Sequence, residues 1–425
     1  MEKNRISSYI ISVLIFVIPD LSAQEGWHQI ASPTDNFLRY LYFADSYTGW
    51  AGGGEGTIIK TTNEGKDWHL QQSNVNTFIR DIYFLDHNFG WAITIRDTSP
   101  FGTEILRTSN GGDEWIKTDY PEINVFFNAV IFFDTLNGLL GGDIIARTTD
   151  GGLTWTESNL DSVFVSTLPK KNFKFYNSQY GFACGGSIDV AGVIWKTTDG
   201  GINWRTYGVA PEPINDMLII DSLNILALSG DPEGFFGVGV IRSSDAGETW
   251  DYEELTIQGL SFGLDSRNKN EIWSASALKF LHSEDGGISW TEIFPDSGIE
   301  IYDLTFPSES YGIAVGLNGV ILRYSSPTSI DNKENIKSDQ FTLFQNYPNP
   351  FNPTTVISWQ TPVDGWQSLK IYDLYGSEVV TLVDEYKPAG RYEAQWNADG
   401  YASGVYFYQL KSGRLIKTKK LLFVR

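Results

Sequence analysis

The chain has 425 residues and is 41% hydrophobic, with 42 Gly, 14 Trp, 21 Tyr and 26 Phe beside only 2 Met and 4 His. This length exceeds that of a usual single domain, and the composition is typical of many short strands and turns, so we expect an all-β chain with two domains. The net charge of −21 would repel nucleic acids and anionic membranes, and the single cysteine, Cys184, excludes an intrachain disulfide, a Cys-based zinc site and an iron–sulfur cluster.

The N-terminal segment has the features of a secretion signal. Basic residues near the start precede an apolar run, YIISVLIFVI, at residues 9–18, which is too short to span a bilayer. Pro19 follows the run and ends it. We therefore predict a signal peptide over residues 1–23, cleaved between Ala23 and Gln24, and no transmembrane segment in the mature chain.

A unit of roughly 40 to 50 residues is repeated along the next 300 or so residues, the period expected of a propeller blade or a solenoid turn. Its clearest element ends in tryptophan, as in RTTDGGLTW, and the six copies end at Trp68, Trp115, Trp155, Trp204, Trp250 and Trp290. A second element, in which an aromatic or aliphatic strand is followed by a turn and a small-residue strand, occurs seven times, as in YFADSYTGWAGG.

The ends of the repeat region indicate a closed ring. The seventh copy stops near Ser326 without a tryptophan strand, whereas GWHQIAS around Trp27 resembles such a strand without a preceding copy. A ring of sheets requires this permutation, because a sheet shared by both ends joins the first blade to the last. We predict a seven-bladed β-propeller over residues 24–326, in which the Trp27 strand pairs with the strand of Arg323.

Each predicted blade is an antiparallel meander of strands A to D. The A–B and C–D turns then lie on one face of the ring, and the B–C and D–A connections lie on the other. The aspartates that we place at the A–B turns, where each would accept backbone N–H bonds in an Asx turn, are Asp45, Asp86, Asp134, Asp221 and Asp265.

The C–D turns carry the pattern T-x-D-x-G-x-T-W. The hydroxyl and the carboxylate are expected to accept N–H bonds within the turn, the glycine to adopt a positive φ, and the tryptophan to fill the seam between sheets. One copy that matches in full consists of Thr148, Asp150, Gly152, Thr154 and Trp155. The pattern resembles the Asp-box (BNR) repeat, and together with GWA-x-G and G-x-I-x-KT it resembles the photosystem II assembly/stability-factor propellers. The resemblance implies the fold and says little about activity.

The composition changes after the repeats. Residues 327–340 are polar and are predicted to form a linker, and residues 341–425 alternate apolar and polar residues, which predicts a small antiparallel β-sandwich. The strings NYPNPFNPTT, YDLYG, GVYFY and KTKKLLFVR resemble the type A C-terminal sorting domain of the type IX secretion system. This resemblance implies export to the cell surface or beyond, with the secretion machinery and its sortase-like protease as partners.

No pattern in the sequence indicates catalysis. Arg39, Arg80 and Arg96 lie in early blades, but the Arg-Ile-Pro string of a sialidase is absent, and the four histidines lack metal-ligand spacing. Cys184 is expected to be a buried structural thiol. We predict no catalytic residue, metal or cofactor. The expected function is noncatalytic binding of a surface protein or glycan, and the alternative is a secreted glycoside hydrolase of sialidase or xyloglucanase type, which would need two carboxylates across a groove.

Two sets of residues are candidates for ligand binding. The first is a basic residue that precedes the turn hydroxyl in strand C, at Lys60, Arg107, Arg147, Lys196, Arg242 and Arg323, with His282 in the sixth blade. In register these residues could form a cationic track for an anionic segment, and the alternative is an ion pair within or between blades. The B–C connections of blades two, four and five are long, and two of them carry the second set, Phe101, Phe235 and Phe236. These rings either bind a partner or cap the blade edges.

Overall fold

The structure is a computed structural model that describes residues 26–161, 164–296, 298–325, 341–346, 348–361, 365–374, 376–387, 390–413 and 415–424. It divides into two compact units, Met1–Ile330 and Asp331–Arg425. The predicted signal peptide, its cleavage site at Ala23 and Gln24, and the predicted linker lie outside the described residues.

In the described part of the first unit the strands form seven sheets. Strand β1 is Gly26–Ile30. Sheet 1 contains β2 (Leu38–Phe43), β3 (Gly49–Gly53), β4 (Ile58–Thr61) and β5 (His69–Gln71). Sheet 2 contains β6 (Ile79–Phe84), β7 (Gly90–Arg96), β8 (Gly102–Thr108) and β9 (Ile116–Asp119). Sheet 3 contains β10 (Phe127–Phe132), β11 (Gly138–Gly142), β12 (Ile145–Thr148) and β13 (Thr156–Glu157).

Sheet 4 contains β14 (Asn159–Leu160), β15 (Lys170–Phe175), β16 (Gly181–Ser187), β17 (Ala191–Thr197) and β18 (Asn203–Ala210). Sheet 5 contains β19 (Ile214–Ile219), β20 (Ile225–Ser229), β21 (Gly237–Ser243) and β22 (Asp251–Gln258). Sheet 6 contains β23 (Leu264–Ser266), β24 (Ile272–Ser276), β25 (Lys279–Ser283) and β26 (Thr291–Ile293). Sheet 7 contains β27 (Ile301–Ser308), β28 (Tyr311–Gly316), β29 (Ile321–Ser325) and β1. Short 3-10 helices occupy Gly54–Gly56, Phe164–Thr167 and Leu317–Gly319.

The sheets of the first unit form a closed ring. The first strand of each antiparallel meander lies beside the corresponding strands of the preceding and following sheets, and β27 lies beside β2. The second strands, such as β3 and β11, are buried along their whole length because neighbouring sheets cover both of their faces, which explains their glycine and aliphatic residues. The outer strand β9 is exposed throughout. This arrangement is that of a β-propeller.

Strand β1 completes sheet 7 from the opposite end of the unit. It pairs antiparallel with β29, so that Trp27 lies opposite Tyr324 and His28 lies opposite Arg323. The predicted pairing of the two ends is confirmed. The Trp27 ring stacks on Phe280 of sheet 6 with 4.6 Å between ring centroids, and it meets the edge of Trp273. Trp27 therefore fills the seam between sheets 6 and 7.

The second unit contains two further sheets. Its strands are β30 (Thr342–Leu343), β31 (Thr354–Thr361), β32 (Gly365–Tyr372), β33 (Glu378–Lys387), β34 (Gly390–Asn397), β35 (Gly404–Ser412) and β36 (Leu415–Phe423). One sheet has the order β30-β31-β34 and the other the order β33-β32-β35-β36. Trp359 of the first sheet and Tyr408 of the second belong to one buried cluster, so the unit has its own hydrophobic core.

We expect Trp27→Ala to lower the free energy of unfolding of the chain by about 3–5 kcal/mol, because it removes the ring that joins sheets 6 and 7. Chemical denaturation followed by tryptophan fluorescence and circular dichroism measures this change. Leu70→Ala, at a position that is 56% exposed, is the control and should change stability by less than about 0.5 kcal/mol. An unchanged unfolding midpoint for Trp27→Ala would mean that β1 does not close the ring.

Candidate functional site

The Asp-box turns have the predicted geometry. In sheet 3, Thr148 Oγ1 accepts the backbone N–H of Gly152 at 2.9 Å, and Asp150 Oδ1 accepts that of Thr154 at 2.9 Å. Gly152 has a φ of +90°, and its carbonyl accepts the indole N–H of Trp155 at 3.2 Å. The Gly151 N–H bonds to the carbonyl of an A–B turn residue, which places both kinds of turn on one face of the ring. We call it the turn face.

The A–B turns confirm four of the five predicted Asx turns. Each of these carboxylates accepts two backbone N–H bonds from residues two and three positions later, at Asp45, Asp86, Asp134 and Asp221. The prediction for Asp265 is wrong, because Asp265 lies within strand β23 and its Oδ2 accepts the N–H of Phe306 in the next sheet. Asn268 forms the turn in sheet 6 instead.

Three of the seven strand C residues contact the next sheet around the ring. Lys196 forms an ion pair with Glu248 of sheet 5 at 2.5 Å, and Arg242 donates to the carbonyl of Gly287 in sheet 6. Arg323 of sheet 7 lies 3.8 Å from Glu64 of sheet 1. These contacts favour the alternative that the series holds neighbouring sheets together.

Aromatic rings contact three further members of the series. Lys60 lies over the Trp50 ring at 5.3 Å and Arg107 over the Trp91 ring at 6.0 Å. His282 stacks on Trp273 with 3.9 Å between centroids. In sheet 3 the corresponding strand B residue is aliphatic, and Arg147 lines a cleft between sheets 3 and 4 without an ion pair to any described residue.

The long B–C connections lie on the opposite face, which we call the loop face. Strands β7 and β8 extend the hairpin of sheet 2 as far as Arg96 and Gly102, beyond which Phe101 is 47% exposed. In sheet 5 the carboxylate of Asp231 accepts backbone N–H bonds from the Phe235–Phe236 segment. Phe235 is 75% exposed and Phe236 is 38% exposed. The Asp231 carboxylate therefore orders the loop backbone while both rings remain accessible.

A feature that the sequence analysis missed lines the centre of the ring at the loop face. In six of the seven first strands one residue is skipped in the pairing register, so that a β-bulge turns its side chain toward the channel. These bulge residues are Arg39, Arg80, Asn128, Lys171, Asn215 and Tyr302. Together with Phe262 of sheet 6 they occupy one level, which we call the mouth ring. A cavity of about 210 Å³ is lined by all of these residues except Arg80, and also by the carboxylates of Asp216 and Asp303.

Below the mouth ring, carboxylates join one sheet to the next. Asp81 Oδ2 accepts the N–H of Val130 at 2.8 Å, Asp216 that of Leu264 at 3.0 Å, and Asp303 that of Leu41 at 2.8 Å. Burial raises the pKa of Asp81 to about 7 and that of Asp303 to about 8, although these N–H donors favour the ionised forms.

One lysine neutralises part of this acidic level. Burial alone would lower the pKa of Lys174, but Asp216, Asp265 and Asp303 outweigh that effect and raise it. Lys174 Nζ lies 3.1 Å from Asp216 Oδ1. The side chain therefore stays charged and forms a structural ion pair within the channel.

A metal site and a reactive cysteine each require particular surroundings of the side chains involved. No group of three or more His, Cys, Asp or Glu side chains among them is arranged to hold a metal ion. Cys184 is fully buried, and burial raises the pKa of its thiol, as expected for a structural cysteine. None of the helices in this part of the chain has the length and apolarity needed to cross a bilayer.

Comparison with known proteins agrees with this architecture. Residues 68–212 match the family model of the photosynthesis system II assembly factor YCF48, and residues 345–424 match that of the secretion system C-terminal sorting domain. The chain joins a photosystem II assembly factor-like β-propeller to a type IX secretion sorting domain. The sorting domain indicates secretion to the cell surface or beyond.

Individual relatives are distant. The photosystem II stability/assembly factor HCF136 of Arabidopsis thaliana is 22% identical over 52% of this chain and 70% of its own length. A Paenibacillus xyloglucanase is 23% identical over 55% of this chain and only 24% of its own length. A solved structure of YCF48 bound to D1 peptide has a TM-score of 0.55 at 20% identity and covers 71% of this chain and 97% of its own. At these identities the likeness shows the fold.

The Asp-box carboxylates predict an acid-dependent stability. Hydroxyl and backbone N–H donors in the turns lower the pKa of Asp150, Asp245 and Asp285 to about 2, from an ordinary value of 3.8. A lowered folded-state pKa stabilises the fold above about pH 4, and this contribution is lost as the pH falls toward about 2. The triple Asp→Asn variant should therefore show a smaller fall in melting temperature across that range.

Circular dichroism melts at several pH values measure this dependence. The substitution is mild, because asparagine already occupies this position in two turns and makes the same backbone contacts, at Asn63 and Asn110. Asp251→Asn on the exposed strand β22 is the control for the loss of a surface carboxylate outside an Asp box and should keep the wild-type dependence. An identical acid dependence in the triple variant would contradict the assignment.

Proposed function

We propose that the chain is a secreted, noncatalytic binding or scaffold propeller. In this proposal residues 1–23 are a removed signal peptide, residues 24–326 form seven blades, and residues 327–340 link them to the sorting domain at residues 341–425. The two sheets of the second unit form a β-sandwich that engages the secretion machinery and its sortase-like protease. The tail is then removed, leaving the propeller attached to the surface or released.

The loop face is the proposed binding surface. Phe101, Phe235 and Phe236 are exposed there on hairpin extensions, and insertions on one face of a repeat protein commonly carry its binding site. The exposure of Phe235 argues against a role as a cap for the blade edge. The structurally similar YCF48 is bound to a peptide, which supports a protein ligand.

The strand C residues remain ligand candidates of lower rank. Lys60, Arg107, Lys196, Arg242 and Arg323 would have to leave rings, carboxylates or carbonyls of neighbouring strands and sheets before they could bind a ligand. Such a rearrangement would loosen the seams between sheets. Arg147 would need no such exchange, because it forms no ion pair with any residue that the structure describes.

The noncatalytic proposal rests on the hydrogen bonds that the carboxylates of the turns and of the channel already accept. Those of the Asp boxes and the A–B turns accept hydrogen bonds from their own turns, and those of the channel bridge the sheets. A glycoside hydrolase needs a pair of carboxylates that face a substrate groove. Asp216 and Asp303 line one cavity of the channel, but both carboxylates bridge neighbouring sheets, which disfavours them as the catalytic pair of a sialidase- or xyloglucanase-like hydrolase. The xyloglucanase relative aligns over only a quarter of its length.

Incubation of the full chain with a polysaccharide panel that includes xyloglucan and sialylated glycans tests this proposal. We expect no release of reducing sugar or sialic acid above that of a heat-denatured sample. A commercial glycosidase verifies each substrate. Heat-sensitive turnover of any member of the panel would contradict the proposal and restore the hydrolase alternative.

A further inference from the structure

We propose that the mouth ring binds an acidic side chain of a partner protein, so that the channel entrance is the specificity site of the loop face. This inference rests on the proposed binding function and names the chemistry of the ligand. It follows from the charges that the six bulges bring to one level, from their partners, and from the surface that surrounds them.

The mouth ring carries three cations and no acid. Arg39 and Lys171 line the cavity, and Arg80 donates to Asn128, which also lines it, at 2.6 Å. None of these three cations forms an ion pair with a carboxylate of the described residues, and Arg80 Nε is buried without a hydrogen-bond partner there. All three cations are half-buried, so the entrance presents positive charge that no carboxylate of the described residues neutralises by an ion pair.

Neighbouring amides and rings hold the cations in place. Lys171 Nζ donates to Asn215 Oδ1 at 2.8 Å, and Asn215 Nδ2 donates to the carbonyl of Ser261. The Arg39 guanidinium lies over the Phe262 and Tyr302 rings at 4.8 and 5.3 Å. These contacts fix the positions of the charged groups without neutralising them, which is how a site is preorganised for an anion.

Asp216 and Asp303 line the same cavity, but they do not cancel this charge. Burial raises the pKa of Asp303 to about 8, and Lys174 pairs with Asp216. Burial also lowers the pKa of Lys171. An incoming carboxylate would offset that effect and favour the charged lysine, so ligand and site would stabilise each other's ionised forms.

The surroundings favour a single acidic group over a polyanion. The chain has a net charge of −21, while residues 341–425 have nine basic and seven acidic residues, so the excess negative charge belongs to the propeller. A polyuronate carries a charge on every sugar and would be repelled by this surface. A protein segment with one acidic side chain can place it in the entrance, a cavity of about 210 Å³, while its apolar side chains contact the exposed Phe235 and Phe101.

Selection of short linear peptides from a displayed library on the immobilised full chain tests the inference. We expect the enriched peptides to share an Asp or Glu, and its replacement by Asn or Gln to weaken binding about tenfold or more in calorimetric titrations. The double variant Arg39→Gln/Lys171→Gln should lose binding to the same extent. Arg39→Lys and Lys171→Arg should retain most of it, which separates loss of charge from loss of fold.

Two controls keep the outcomes distinct. Lys66→Gln removes one cation from the turn face and should leave the dissociation constant unchanged. Binding that survives in Arg39→Gln/Lys171→Gln but is lost in Phe235→Ser/Phe236→Ser would contradict the mouth ring as the binding site. It would still agree with the loop face as the binding surface. Three other outcomes would each overturn the inference. Enriched peptides could bind without an acidic residue, polygalacturonate could bind while no peptide does, or no peptide could be enriched above the level seen with an unrelated protein.

Discussion

Every sheet of the first unit is stable only between two neighbours, so the closure of the ring is the constraint on which the rest of the structure depends. Both faces of a strand such as β3 are buried, and an open ring would leave two such faces in water. Strand β1 supplies the hydrogen bonds that complete the last sheet, and the indole of Trp27 packs against the sheet before it. At the axis the carboxylate of Asp303 in sheet 7 accepts the backbone N–H of Leu41 in sheet 1 and so joins the last sheet to the first.

This constraint explains why many residues that look functional are structural. The tryptophan at the end of each Asp box packs in a seam, as Trp250 does against Phe182 of the preceding sheet. Lys196 reaches the next sheet through Glu248. Residues that make these contacts cannot bind a ligand without weakening the packing between sheets. The loop face and the channel entrance are the surfaces where a ligand can bind without that loss.

The fold was predictable because its signals are local and repeated. The Asp-box turns, the B–C extensions and the pairing of β1 with β29 all follow from spacing in the sequence, and the structure has each of them. Asp265 was misplaced because an aspartate near the end of a first strand looks the same whether it caps a turn or faces the channel. Asn268, three residues later, was the better turn residue.

The mouth ring was not predicted for a different reason. A β-bulge breaks the two-residue alternation of a strand, so the inward side of Arg39, Arg80 and Lys171 cannot be read from periodicity alone. A signal was nevertheless present, because aligning the first strands of the repeats places these three cations in one column. Only the ring geometry then shows that the column becomes a circle around the axis.

Hydrogen–deuterium exchange of strand β1 in the full chain, followed by mass spectrometry, tests the closure of the ring most directly. The account predicts that the amides of Gly26–Ile30 that bond to β29 exchange as slowly as those of Ile321–Ser325, because both strands belong to one sheet. Exchange of the first segment at the rate of an unstructured peptide, with the second segment still protected, would contradict it.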